Sequence, residues 1–186
     1  MGPATHLTSI LQWRSYPAVN HGENKLGNKD LEFPKFADLP ALTDQPFLLA
    51  LTADTENPLA GHGWETVVGW KETRRPEDYQ RFIRESRAEF SIAKHGYVSS
   101  RSGWFSDRSV CYLASGRPVV VQDTGLAEWL PVGSGVLTFA DPSQALRAVE
   151  ELNRDYDSHR RAARAVAAQY FDATSVLDSL VDRVTS

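Results

Sequence analysis

The feature that most constrains this chain is the run Pro118-Val119-Val120-Val121, set just after a glycine that can end a helix. A continuous apolar run suits a strand buried on both faces, as in parallel sheets covered by helices. Its surroundings agree. Asp107 to Ser115 reads as a helix, with Ser106 placed as its N-cap and Asp107 in the first turn, where an acid meets the helix dipole. Gly116 takes the position past the helix end where left-handed backbone costs glycine least. Gln122-Asp123-Thr124-Gly125 then breaks the strand with turn chemistry. A helix start facing the carboxyl end of a parallel strand is a place where anions and nucleotides bind.

The rest of the chain repeats that alternation. Phe47 to Leu51, Glu65 to Trp70, Glu89 to Ile92 and Gly135 to Phe139 read as strands, and Ser9 to Trp13 as a short one. Pro58 to Gly63 reads as a short helix or turn. Pro76 starts a helix carrying Tyr79, Phe82 and Ile83. Asp141 or Ser143 starts another, with Ala145, Leu146, Val149 and Leu152 on one face. Tyr156 to Tyr170 and Thr174 to Val184 add two more. This order predicts an α/β fold: a Rossmann-like parallel sheet of about six strands, helices on both faces, and a helical C-terminal run. Residues 1–45 lack regular pattern and predict an irregular arm or linker; 46–186 predict the Rossmann-like domain.

Composition bounds the function. The chain has 186 residues, 41% of them hydrophobic, enough to bury a core without disulfides. A net charge of −4 argues against a general nucleic-acid binder. The single cysteine, Cys111, forbids an internal disulfide and reads as a buried, inert thiol in mid-helix. No run is long enough to span a bilayer, and no secretory pattern opens the sequence, so the expected location is the cytoplasm. The five histidines are scattered and predict no metal site.

Four segments carry a family resemblance: Phe90-Ser91-Ile92-Ala93-Lys94; Ser102-Gly103-Trp104-Phe105-Ser106-Asp107-Arg108; Tyr112-Leu113-Ala114-Ser115-Gly116-Arg117-Pro118-Val119-Val120; and Asp123-Thr124-Gly125. Together they resemble the C-terminal, donor-binding half of GT-B glycosyltransferases, most closely the bacterial family 1-like group. Trp13, Gly27-Asn28-Lys29-Asp30 and Glu32-Phe33 resemble the segment entering that domain. The resemblance implies binding of a nucleotide-diphosphate sugar, as substrate with no further cofactor, for hexosyl transfer to an acceptor. It also implies an acceptor-binding domain or protein in trans, and apolar surface that favours self-association.

The resemblance places the donor pyrophosphate at the helix start of Ser106, Asp107 and Arg108, beside Trp104. It places Lys94 against donor phosphate and the Asp123-Thr124-Gly125 loop at the cleft. The residues alone leave other readings open. Ser106 can be a cap only, Arg108 and Lys94 solvated cations, His95 structural, and Asp123 the head of an Asx turn. One departure is plain. Retaining enzymes of this type carry Glu-x7-Glu, and the corresponding positions here are Gly103 and Cys111. The alternative is therefore a non-catalytic nucleotide- or partner-binding module. A flavodoxin-like or receiver-type domain is a third reading, and the receiver version lacks its acidic cluster.

Overall fold

A computed structural model of the chain describes residues 4–22, 24–52 and 59–185. Pro58, where the sequence suggests a helix or turn, lies outside them. Six parallel strands form one sheet: β1 Leu7–Leu11, β4 Phe47–Leu51, β5 Glu65–Val68, β6 Ala88–Ser91, β7 Val119–Gln122 and β8 Val136–Phe139. The spatial order is β5-β4-β1-β6-β7-β8. The chain builds outward from β1 to β5, then crosses back to lay β6 on the other side of β1. The crevice beyond the carboxyl ends of β1 and β6 is thus the point where the winding reverses, the usual ligand site of such sheets. A small antiparallel hairpin, β2 Val19–His21 and β3 Asn24–Leu26, stands apart from the sheet in the β1–β4 connection.

The strand expected near Ser9 is real and central. Leu7 pairs with Phe47 on one side and Ala88 on the other. Leu7–Leu11, inside the segment 1–45 expected to be irregular, therefore lies in the middle of the sheet. Beyond the hairpin the chain runs through short 3-10 turns whose Phe33, Phe36 and Leu39 are buried under the sheet.

Helices cover both faces. On one, Ala145, Val149 and Leu152 of α5 (Pro142–Arg154) join Phe33, Phe36, Leu49, Phe90, Val120 and Phe139. On the other, α2 (Pro76–Glu85), α4 (Asp107–Ala114) and α6 (Tyr156–Tyr170) press Ile83, Tyr112, Leu113 and Ala163 against Val119, Val121 and Val136. The valine run thus feeds both cores by strict alternation, and all of Val119 to Gln122 is buried. Helix starts follow local chemistry where it is available: Pro76 sits in the first turn of α2, and the Asp141 side chain caps α5 by accepting from the Gln144 N–H. Three further helices complete the order: α1 Gly69–Glu72, which ends β5 earlier than the sequence suggests, α3 His95–Ser99 after β6, and α7 Ala173–Thr185 at the end.

Candidate functional site

The crevice at the reversal point holds buried charge. Glu89 on β6 and Arg108 on α4 meet there. Arg108 donates from Nε to Glu89 Oε1 at 2.6 Å, from Nη1 to the Ile10 carbonyl at 2.7 Å, and from Nη2 to Ser91 Oγ at 2.8 Å. One guanidinium therefore ties α4 to both β1 and β6. Glu89 is fully buried, and among the described residues its second oxygen, Oε2, finds no hydrogen-bond partner. Lys29, on the first 3-10 turn after the hairpin, is also buried, and among the described residues its Nζ has none either. Burial first, then the positive charge of Arg108, pull the Lys29 ammonium down to about 7; Glu89 opposes this and Lys94 adds to it. An amine this poised and this unpaired is uncommon in a folded interior and marks a functional candidate.

Lys94 closes the outer side. Its Nζ lies 4.5 Å from the ring centre of Tyr16 and 5.8 Å from that of Tyr97, in cation–π contact. Partial burial lowers its proton affinity. Tyr97 stacks in turn on Trp104, with centroids 4.7 Å apart and planes 16° from parallel. Lys94 and Trp104, both expected at the site from sequence, thus share one aromatic ladder with Tyr16 and Tyr97, which were not.

The other expected residues are differently employed. Ser106 occupies the N-cap position of α4 but makes no capping bond; its hydroxyl donates to Asp107 Oδ1 at 3.3 Å. Asp107 instead turns a carboxylate oxygen onto the Arg108 N–H at 2.8 Å. The start of α4 is therefore occupied by an acid of its own. Arg108, expected to meet a phosphate, spends all three of its nitrogens on protein acceptors. Thr124 is buried and donates to the Trp104 carbonyl at 2.7 Å. Asp123 accepts the Gly125 N–H at 2.9 Å, the Asx turn, and lies 3.5 Å from Arg101. Gly125 has φ +87, and a β-carbon there would stand 3.0 Å from the Arg101 carbonyl oxygen. This loop fastens the segment around Trp104 to the end of β7.

A second polar network adjoins the crevice. The fully buried Glu32 carboxylate accepts from Lys35 Nζ at 2.8 and 2.9 Å, from His95 Nδ1 at 2.6 Å and from Gln122 Nε2 at 2.6 Å. Gln122 Oε1 takes the Ala93 N–H at 3.0 Å. Burial pushes the Glu32 carboxyl up, but the bonds from His95, Lys35 and Gln122 outweigh it and hold it below the usual carboxylate range. Glu32 is therefore ionised and can only accept.

Lys29, Glu32 and Glu89 escaped the sequence reading as chemistry. A signal existed for Glu89: it alternates with Phe90, Ser91 and Ile92, so that one side of an otherwise buried strand is polar. A water-sized void of about 10 Å³ lies between Ser91, Ser106, Ser109 and Gln122, beside Trp104. A far larger groove of about 640 Å³ runs between α2, α4 and α6, lined by Tyr79, Ile83, Cys111 and Arg164. It lies away from the strand ends, on the helical face, so size alone does not mark the site. Cys111, expected to be buried, is exposed there. Among the described residues no cluster of three or more His, Cys, Asp or Glu could hold a metal ion, and no helix is long and apolar enough to cross a membrane.

Sheet order, paired helical layers and a charged crevice at the reversal point define a Rossmann-type α/β domain of the kind found in GT-B glycosyltransferases. Residues 44–178 match the glycosyl transferase-like family, and the chain belongs to it. Among solved structures, the crystal structure of TarM is similar in fold, with a TM-score of 0.61 and 13% sequence identity. That match covers 100% of this chain and 36% of TarM, so the chain spans about a third of the other's length. No curated protein matches the sequence.

Proposed function

We propose that the chain is the donor-binding domain of a glycosyltransferase, taking a nucleotide-diphosphate sugar for hexosyl transfer to an acceptor held by another domain or protein. Family membership supports the reaction class, and a soluble, cytoplasmic setting suits a nucleotide sugar. The observation that carries the reading is Lys29: a buried amine at the reversal point with no hydrogen-bond partner among the described residues and two further cations, Arg108 and Lys94, acting on it. Against that excess of positive charge stands Glu89, already engaged by Arg108. An entering diphosphate would pair with the Lys29 ammonium and restore its proton. Lys94 would add a second contact from its place between Tyr16 and Tyr97. The phosphate seat thus shifts from the start of α4, which Asp107 occupies, to the β1 side of the crevice. Stabilising a departing diphosphate with fixed cations is how such a site would favour bond cleavage.

Calorimetry and thermal unfolding with UDP, GDP and their sugar conjugates test this. Binding is expected with one base class, raising stability by roughly 2.7 kcal/mol at about 100 times the dissociation constant. It should be lost in Lys29→Met. A cooperatively folded protein that binds none of them overturns the reading. The absence of the Glu-x7-Glu carboxylates, with Gly103 and Cys111 in their places, favours one alternative: a module that binds nucleotide or a partner chain and catalyses nothing. Tight binding without turnover, even with the acceptor domain supplied, would establish that alternative.

A further inference from the structure

We propose that His95, positioned by Glu32, is a general base of this domain, accepting the proton of the hydroxyl that attacks the donor sugar. The inference rests on the donor-domain reading above. His95 is the first residue of α3, four positions beyond β6, so it stands at the carboxyl edge of the sheet beside Lys94. Its backbone is fixed: its N–H donates to the Asn28 carbonyl at 3.2 Å, and the Gly96 N–H donates to the Gly27 carbonyl at 3.1 Å.

Its side chain is oriented as strictly. Because Glu32 is ionised and can only accept, the 2.6 Å contact requires that His95 Nδ1 carry the hydrogen. In the neutral ring Nε2 is then the bare, basic nitrogen. The side chain is 27% exposed, and among the described residues Nε2 makes no hydrogen bond. A buried carboxylate on one ring nitrogen and an open lone pair on the other is the arrangement by which a base is held in one tautomer and one orientation. The charged groups around the ring are Glu32 and Lys35 from the 3-10 segment and Lys94 from its own loop. Lys35 balances the charge of Glu32, and Gln122 fixes the second oxygen, so the carboxylate cannot swing away from the imidazole.

The step balances simply. The hydroxyl oxygen of an acceptor, or of water, bonds to the anomeric carbon. The bond from that carbon to the diphosphate oxygen breaks, its electron pair leaving with the nucleoside diphosphate. The hydroxyl proton passes to His95 Nε2. Glu32 touches no substrate and is a positioning residue.

Water serves as the acceptor in the test. UDP-glucose and GDP-mannose are incubated with the full chain, release of UDP or GDP is followed across pH, and dissociation constants are measured alongside. The wild type is expected to hydrolyse the donor it binds. His95→Gln and His95→Asn should lower that rate by about 10²–10⁴-fold while the dissociation constant changes less than threefold. Glu32→Gln should lower the hydrolysis rate while the donor dissociation constant and the number of binding sites stay unchanged, with Glu32→Asp retaining part of the rate, a pattern that mere loss of stability would not produce. Three results overturn the proposal: donor bound but not hydrolysed by the wild type, His95→Gln as fast as the wild type, or His95→Gln losing donor affinity instead of rate. Failure of the wild type to bind any donor overturns the underlying reading as well, and that distinguishes the two failures.

Discussion

Arg108 Nε donates to Glu89 Oε1 at 2.6 Å, and this one contact joins α4 to the first strand laid down after the winding of the sheet reverses. Glu89 is fully buried and Arg108 nearly so. Removing one partner leaves the other charge uncompensated in the interior. Arg108→Met should therefore cost about 3–5 kcal/mol, lowering the melting temperature by roughly 6–20 °C in a domain of this size. The double variant Arg108→Met, Glu89→Leu should recover much of that loss. Chemical denaturation of the four-member cycle measures the coupling, and a double variant no better than the single would remove the pair from the account of stability.

Lys29 makes the opposite case, a buried charge that costs stability. Its proton affinity is ordinary in the unfolded chain, near 10.5, and falls to about 7 on folding. Between those values the unfolded chain holds a proton that the folded chain has released. Stability must then rise as pH climbs from about 7 towards 10.5, with the full penalty present below 7. At about 1.4 kcal/mol per pH unit the gap sets an upper bound of roughly 4–5 kcal/mol. Lys29→Met should stabilise the protein most at pH 6 and least at pH 10, read as the difference in urea midpoints at the two values. Equal effects at both would show that Lys29 keeps its proton in the folded state.

Much of the fold was legible in the sequence, and the losses have physical causes. The valine run, Pro76, Asp141 and the spacing of Ala145, Val149 and Leu152 act locally, so pattern alone places their elements. The central place of β1 was hidden because Leu7–Leu11 carries Thr8 and Ser9 at buried positions and leads into a long excursion of hairpin and 3-10 turns, features that resemble a linker. Its centrality comes from its two neighbours, which no local pattern records. The α4 start misled for a related reason. Ser106 has the right position and residue type for a cap, yet Asp107 takes the helix N–H and Ser106 sinks against the strand ends. Charges at the crevice were legible as residues and illegible as partners: Arg108 meets Glu89 across 19 positions, and Glu32 meets Gln122 across 90.

Gly135 marks the closest approach of α6 to the sheet. It has φ +75, and a β-carbon there would fall 2.4 Å from the Ala163 backbone nitrogen, with further backbone at 2.8 and 2.9 Å. Its N–H also donates to His159 Nδ1 at 3.2 Å. A methyl group must displace the whole helix, since no flexible side chain can yield. Gly135→Ala should destabilise by about 2–4 kcal/mol, combining strain at positive φ with overpacking. Gly133→Ala is the control: it has φ +98 but nothing within 4 Å of the added carbon. Its loss should stay near 1 kcal/mol. Thermal unfolding of the two variants separates close packing from backbone strain, and equal losses would assign the whole effect to φ.

α7 stands outside both cores. None of its residues is buried, and Val176, Leu177, Leu180, Val181 and Val184 are 50–75% exposed. These five form a stripe at helical spacing, and its burial contributes nothing to the folded domain. Ending the chain after Asp172 should leave the melting temperature within about 4 °C, because less than about 1 kcal/mol is at stake. The same stripe exposes apolar area that water penalises, so the full chain should associate with itself as its concentration rises. Sedimentation velocity tests both halves together. Leu177→Glu with Leu180→Glu should hold the protein at monomer mass while its melting temperature stays put, and a monomeric wild type at high concentration would show that the stripe does not drive self-association.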